Sequence, residues 1–179
     1  MDLDSIKISN IVISFTLNER LNRNEIKLLF PSIVYPKKFS GGVLKFTKGC
    51  LLIFDSAKMI ATGNENVESA IDLIEKFCSV FGRSLHYTSY KIVNIVTHSK
   101  LSIDFDYKLL QYFPLYTYEP ELFPGVHIKV DDSKIIFIVF RSGKVIATGF
   151  KEVAQIKYYY EKFTKVYDNL KLYLHMYST

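Results

Sequence analysis

Tryptophan is absent from the 179 residues, cysteine occurs twice, and no apolar run approaches the roughly 18 residues that a membrane-spanning helix needs. The opening Met-Asp-Leu-Asp-Ser lacks the basic-then-apolar order of a secretion signal, so an intracellular protein without a membrane partner is expected. Cys50 and Cys78 sit in apolar strand and helix patterns and read as buried free thiols rather than a disulfide or a metal pair. His86, His98, His127 and His175 match no metal-ligand or nucleophile spacing, and no glycine-rich phosphate loop is present. No enzyme, metal site or cofactor is therefore expected. The five prolines, Pro31, Pro36, Pro114, Pro120 and Pro124, all fall between predicted elements, and no linker or low-complexity tract divides the chain. Excess charge is slight: net +5 with a pI near 9.0, split as +2 over residues 1–84 and +3 over 85–179. That surplus favours an anionic partner without naming one.

What the chain does have is one stretch written twice. Residues 50–63 read Cys-Leu-Leu-Ile-Phe-Asp-Ser-Ala-Lys-Met-Ile-Ala-Thr-Gly, and residues 136–149 read Ile-Phe-Ile-Val-Phe-Arg-Ser-Gly-Lys-Val-Ile-Ala-Thr-Gly. Each is a β-hairpin, with Asp55-Ser56-Ala57 or Arg141-Ser142-Gly143 as the tight reversal. An ordinary antiparallel hairpin alternates apolar and polar residues because one face is wet. These do not alternate. Leu51, Ile53, Met59 and Ala61 point one way and Leu52, Phe54, Ile60 and Thr62 the other. The copy sets Phe137, Val139, Val145 and Ala147 against Ile136, Ile138, Phe140, Ile146 and Thr148. Helices can cover one face; the second needs either more protein, as in a sandwich, or a partner that arrives later.

The duplication extends beyond the hairpin. Lys-Ile-Ser-Asn-Ile-Val at 7–12 recurs as Lys-Ile-Val-Asn-Ile-Val at 91–96, an offset of 84 that also relates Phe39 to Phe123, whereas Phe54/Phe140 and Lys58/Lys144 stand 86 apart. A single core over 1–179 is expected, with repeats 5–84 and 85–179. In each, a strand (7–16; 90–97) leads to a short helix, which in the first repeat opens at Asn22 with Glu25 three residues on, close to a capping box. Three strands follow (41–47, 50–54, 58–62; 125–130, 134–140, 144–148), then a long helix (65–81; 151–174). The helical stripes are Val67, Ile71, Ile74, Cys78 and Phe81, and Val153, Ile156, Tyr160, Phe163, Tyr167, Leu170 and Leu174. Taken alone, Tyr118-Glu-Pro-Glu-Leu-Phe-Pro-Gly125 is a stiff loop whose Leu122 and Phe123 tuck back into the core.

That octapeptide, followed by Phe140-Arg-Ser-Gly-Lys-Val-Ile-Ala-Thr-Gly149, resembles the second repeat of the TATA-box-binding protein core, and residues 9–12 and 54–63 resemble its first. The resemblance runs from about Ser5 to Leu174. It implies an α+β saddle: two pseudo-symmetric repeats forming one curved, ten-stranded antiparallel sheet, helices on the convex face, and the concave face in a DNA minor groove. Members of this family wedge apolar side chains into base steps and kink the duplex by about 80°. The wedges carry over onto Phe39 with Phe54 and Phe123 with Phe140. Asn10 and Asn94 match the central asparagines, which read A·T against G·C. Val12, Val96, Leu52, Ile60, Thr62, Ile138, Ile146 and Thr148 match the apolar floor. Lys58 and Lys144 match phosphate contacts, with Lys45 and Lys129 where arginine is usual. Glu119, Glu121 and Leu122 match the surface that meets the B-type initiation factor.

The resemblance thus implies a general transcription initiation factor that bends A/T-rich promoter DNA and nucleates the pre-initiation complex. Its partners would be that DNA, a B-type factor, other general factors and, indirectly, RNA polymerase. It would be nuclear in a nucleated cell and otherwise at an intracellular transcription site. Two rivals stand beside it: a relative without TATA preference that acts by binding initiation factors, and a structural or nuclease-associated module on hybrids or protein. The first repeat departs from the pattern. Ser40-Gly41-Gly42 and a short Lys45–Gly49 turn suggest a looser Phe39 loop; Ala57 replaces a turn glycine, which implies strain. Glu65, Glu68, Asp72 and Glu75 make the first long helix acidic where the family is basic.

Overall fold

The computed structural model describes residues 5–81, 84–101 and 106–177. Two compact units emerge, Ser9–Asn94 and Met1–Ile8 with Ile95–Thr179. The first is built on β1 (Lys7–Leu17), β2 (Gly42–Lys45), β3 (Cys50–Ile53), β4 (Lys58–Asn64) and the start of β5 (Tyr87–Lys100), with α1 (Arg23–Leu29) and α2 (Val67–Ser79). Its hydrogen-bonded order is β2-β3-β4-β1-β5. The second holds the rest of β5, a 3₁₀ turn (Tyr107–Tyr112), β6 (Leu115–Thr117), β7 (Val126–Lys129), β8 (Ile136–Val139), β9 (Lys144–Phe150) and α3 (Val153–Tyr177), in the order β5-β9-β8-β7-β6. The register of the two hairpins is the same: Leu52 faces Ile60 as Ile138 faces Ile146.

Nine strands appear among the described residues, not ten. The missing one is the first-unit counterpart of β6, reduced to a single bridge between Val34 and Val43. Pro31 stands where Leu115 opens β6, and proline has no N–H to give a ladder. β6 itself escaped prediction because all three of its residues are exposed and carry no burial pattern. The short helix of the second repeat is likewise a 3₁₀ turn, capped by the Asp106 side chain on the Lys108 amide.

The hairpin's two faces have different fates. Leu51, Ile53, Met59 and Ala61 are fully buried, as are Phe137, Val139, Val145 and Ala147. Above the first set lie Ala70, Leu73, Ile74, Phe77 and Cys78 of α2, with Phe30 stacked on Phe77 at 4.9 Å. Over the second, Phe163 stacks on Phe137 at 4.7 Å and Tyr160 meets it edge-on, its hydroxyl bonded to Thr97 at 2.9 Å. That bond matters because an unpaired buried hydroxyl would cost about 1–3 kcal/mol. The opposite faces, Leu52, Phe54, Ile60 and Thr62, and Ile136, Ile138, Phe140, Ile146 and Thr148, are only half-buried.

The α3 stripe is buried at Ile156, Tyr160, Phe163 and Tyr167, and the α2 stripe at Ile74 and Cys78; the remaining positions depart from expectation. Val67, Ile71 and Phe81 are half-buried while Ala70, Leu73 and Phe77 lie deeper, and Val153 is exposed. The Leu174 side chain lies outside the described residues. Asn22 caps α1 as expected, its side chain accepting from the Asn24 amide at 2.8 Å. Asn66 caps α2, accepting from Ser69 at 2.8 Å. Cys78 is buried, while Cys50 is half-buried on the uncovered face rather than in the core.

In both reversals the third link residue is left-handed, with φ +63° at Ala57 and +79° at Gly143. A Cβ at Gly143 would meet nothing closer than the Leu101 carbonyl at 3.7 Å, so only backbone strain separates the two turns. For a residue with a Cβ this conformation costs about 1–2 kcal/mol. Ala57→Gly should therefore raise the unfolding free energy by about 1 kcal/mol and Gly143→Ala lower it by a similar amount, read by urea titration.

Candidate nucleic-acid interface

Each unit carries its own half of the predicted surface. In Ser9–Asn94 the uncovered face runs from Asn10 and Val12 on β1 across Thr62, Ile60 and Lys58 on β4 to Leu52 and Phe54 at β3. Alternation places these residues together, since period two puts every second side chain on one face. Val43, opposite Leu52, and Cys50, opposite Thr62, share this face, and neither was among the predicted site residues. In-register alternation from Leu52 would have found both. Burial pushes the Cys50 thiol pKa up against the pull of Lys45, so the group stays neutral. Lys45 and Lys58 are exposed.

Asn10 is held by its neighbours. The Gly63 amide donates to its Oδ1 at 2.8 Å, and its Nδ2 donates to Thr62 Oγ1 at 3.2 Å. Because a backbone N–H can only donate, the amide orientation is determined, and one Nδ2 proton remains. Asn94 is half-buried on β5.

At the end of this face Phe39 and Phe54 form an edge-to-face pair with ring centroids 5.5 Å apart, both half-buried. Beneath them lies Gly41: a Cβ there would stand 3.0 Å from Phe39, 3.1 Å from Phe54 and 2.8 Å from the Ile53 carbonyl. Arg23 braces the surroundings. Its guanidinium pairs with Asp55 at 2.9 Å, donates to the Ser40 carbonyl at 2.8 Å and lies 5.2 Å from the Tyr35 ring centre. The loop of Phe39 and the turn after Phe54 thus share one side chain, where sequence had suggested a loosely held loop.

In the second unit Val96 on β5, Thr148 and Ile146 on β9 and Ile138 on β8 line the uncovered face, all half-buried. Lys144 is exposed and Lys129 half-buried. Phe123 and Phe140 pair edge-to-face at 5.9 Å, and Phe123 also lies 5.3 Å from His127, which stands opposite Ile138. His127 too was missed, since a lone histidine in a strand carries no pattern. Gly125 repeats the role of Gly41: its Cβ would fall 2.7 Å from both Phe123 and Ile138. Leu122 is 80% exposed and Phe123 38%, so neither tucks into the core. Glu119 and Glu121 are exposed beside them, and the Glu119 carbonyl accepts from both the Leu122 and Phe123 amides. In place of the Arg23–Asp55 pair this unit has Arg141 5.8 Å from the ring centre of Tyr107, whose hydroxyl is pushed up to about 12 by burial and by Tyr118. Among the described residues no group of three metal-ligating side chains occurs, and no helix is long and apolar enough to cross a membrane.

A family model described as transcription factor TFIID, or TATA-binding protein (TBP), matches residues 5–83 and 89–170. The chain belongs to the TATA-binding protein family. Its relatives include a TATA-box-binding protein-like 1 of Entamoeba histolytica, 30% identical with 93% of this chain and 79% of that one covered. The TATA-box-binding protein of Archaeoglobus fulgidus is 33% identical over 82% of this chain and 85% of its own. Among solved structures, the TBP of Methanococcus jannaschii superposes with a TM-score of 0.78 at 30% identity, covering 93% of this chain and 98% of that one. The antiparallel sheet with helices described above is therefore the TBP fold.

The glycines under the phenyl pairs allow a test free of any ligand. At Gly41 the obstacle includes a backbone carbonyl, which cannot turn aside; at Gly125 it is side chains alone. Gly41→Ala should destabilise by about 2 kcal/mol and Gly125→Ala by about 1, measured by urea titration, with the Phe123–Phe140 contact in the latter lost by aromatic NOE.

Proposed function

We propose that this chain is a transcription initiation factor that binds A/T-rich promoter DNA through the minor groove, bends it, and recruits a B-type initiation factor. The observation that carries this reading is the uncovered apolar face of each unit, ending in a phenylalanine pair seated over a glycine. Contiguous apolar surface that a unit's own helices leave half-buried marks an interaction site. Its chemistry selects the partner. A floor of Val12, Leu52, Ile60, Val96, Ile138 and Ile146 offers nothing to the guanine amino group, so G·C pairs would leave a donor unpaired, whereas A·T edges meet the remaining amide proton of Asn10, whose repeat counterpart is Asn94.

The four phenyl rings supply the distortion. A flat apolar ring gains by entering an opened step, and unstacking at a few kcal/mol is offset by the wider contact that the bend allows. Lys45, Lys58, Lys129 and Lys144 would neutralise phosphates and make binding steeply salt-dependent. Glu119, Glu121 and Leu122 form an exposed acidic rim around one apolar side chain, the form of a small protein-docking knob, and this is where the B-type factor would sit. Nothing in this scheme needs catalysis or a cofactor. Its site of action is wherever promoters are opened, the nucleus in a nucleated cell.

A doubly labelled TATA duplex should bend on binding, and Phe123→Ala with Phe140→Ala should abolish most of the bend while the protein still melts cooperatively. An unbent duplex at low salt with the unaltered protein would overturn the reading. Equal affinity for TATA and G/C duplexes would point instead to a family member acting mainly through other factors. Leu122→Glu should leave DNA affinity within about twofold yet weaken recruitment of a B-type factor by at least tenfold in a gel-shift series, the loss of a buried anchor costing about 1.4 kcal/mol or more.

A further inference from the structure

The two units differ in charge where their hairpin turns meet the long strand. On β5, His98 faces Ile146 and Lys100 stands directly opposite Lys144 on β9. The Leu101 amide donates to the Gly143 carbonyl at 2.8 Å, fixing this register. Lys7, His98, Lys100, Ser142 and Lys144 line an open groove of about 530 Å³. Like charges directly opposite each other on antiparallel strands repel. Among the described residues none of these three lysines forms an ion pair.

The duplication gives an internal control. Position by position, His98 corresponds to Ser14, Lys100 to Thr16, Arg141 to Asp55 and Lys7 to Lys91, while Lys144 keeps its counterpart Lys58. In the first unit Thr16 is the residue opposite Lys58, and Asp55 is occupied by Arg23. One cross-strand lysine in the first unit thus becomes a crowded cationic groove in the second. Such crowding is unfavourable in the protein alone and is relieved by an anion with several oxygens.

We propose that Lys100, with Lys144 and Lys7, grips a backbone phosphate of the bound duplex, a contact that the first unit lacks, so that the second unit is the stronger electrostatic anchor. This rests on the DNA-binding reading above and adds to it a contact residue and an inequality between the repeats. A single neutralised phosphate contributes about 0.9 to the slope of log affinity against log salt, or about 8-fold in affinity at 0.1 M. Thr16→Lys would build in the first unit the pair that Lys100 makes in the second.

The test is the salt dependence of binding to an A/T-rich duplex by the full chain. Lys100→Ala should flatten the slope by about 0.9 and weaken binding about 8-fold at 0.1 M salt, while melting at or above the temperature of the unaltered protein because the repulsion with Lys144 is gone. Thr16→Lys should steepen the slope by a similar amount, and Lys171→Ala, on exposed α3 surface, should leave it unchanged. An unaltered slope in Lys100→Ala, with the parent protein binding steeply, overturns the proposal and leaves the DNA reading standing. Failure of the parent to bind the duplex at low salt overturns that reading itself. Millimolar inorganic phosphate that raises the melting temperature of the parent but not of Lys100→Ala, together with an unaltered salt slope in Lys100→Ala, would assign the groove to a free anion and overturn the duplex contact.

Discussion

Each hairpin is apolar on both faces, and each unit supplies one long helix. That imbalance is the constraint from which the rest follows. Burial under α2 or α3 is non-directional and proportional to apolar area, so the face that gains the helix becomes core. Leu51, Met59, Phe137 and Val145 vanish from solvent, while Leu52, Ile60, Ile138 and Ile146, one residue away in each strand, cannot. A strand cannot turn both sets inward, because its side chains alternate with period two. The uncovered face is thus a structural consequence of having a two-sided hairpin and a one-sided roof.

The phenylalanine pairs extend the same logic to the ends of the strands. Two rings can lie edge-to-face over a turn only if the backbone beneath them carries no Cβ, and Gly41 and Gly125 meet that need at duplicated positions. What surrounds the pairs has diverged. In one unit Arg23 binds Asp55 and the Ser40 carbonyl; in the other the charge has changed sign at the turn, and Arg141 lies near Tyr107 instead. The sheet tolerates such exchange because turn side chains sit outside the core and their ion pairs contribute little to stability, typically below about 1 kcal/mol.

Much of the fold was legible because it is written in strong patterns. Runs such as Leu51-Leu-Ile-Phe and Phe137-Ile-Val-Phe allow little but strand, and the polar links that follow allow little but reversal. The duplication fixed the order of elements in one half from the other. The misses have physical causes. β6 has three exposed residues and owes its existence to pairing with β7, which no local pattern reports. The α2 stripe was drawn along one edge of the buried face: Ala70, Leu73, Ile74, Phe77 and Cys78 keep helical period, but which of the adjacent rows lies deepest is set by where α2 rests on β4. In the interface, Val43, Cys50 and His127 were overlooked because their face is set by register with Leu52, Thr62 and Ile138.

By itself the sequence determined that two like halves exist, that each hairpin needs two covers, and that four phenylalanines and two asparagines recur in step. These are matters of composition and period, which a chain carries whether folded or not. Only the tertiary structure decided which face the helices would take, that Asn10 would be turned by the Gly63 amide, that Arg23 would tie the Phe39 loop to Asp55, and that Lys100 would stand against Lys144. The last three depend on residues between 17 and 53 positions apart being brought to bonding distance or into register, and such closeness is created by packing, not by any local preference of the residues involved.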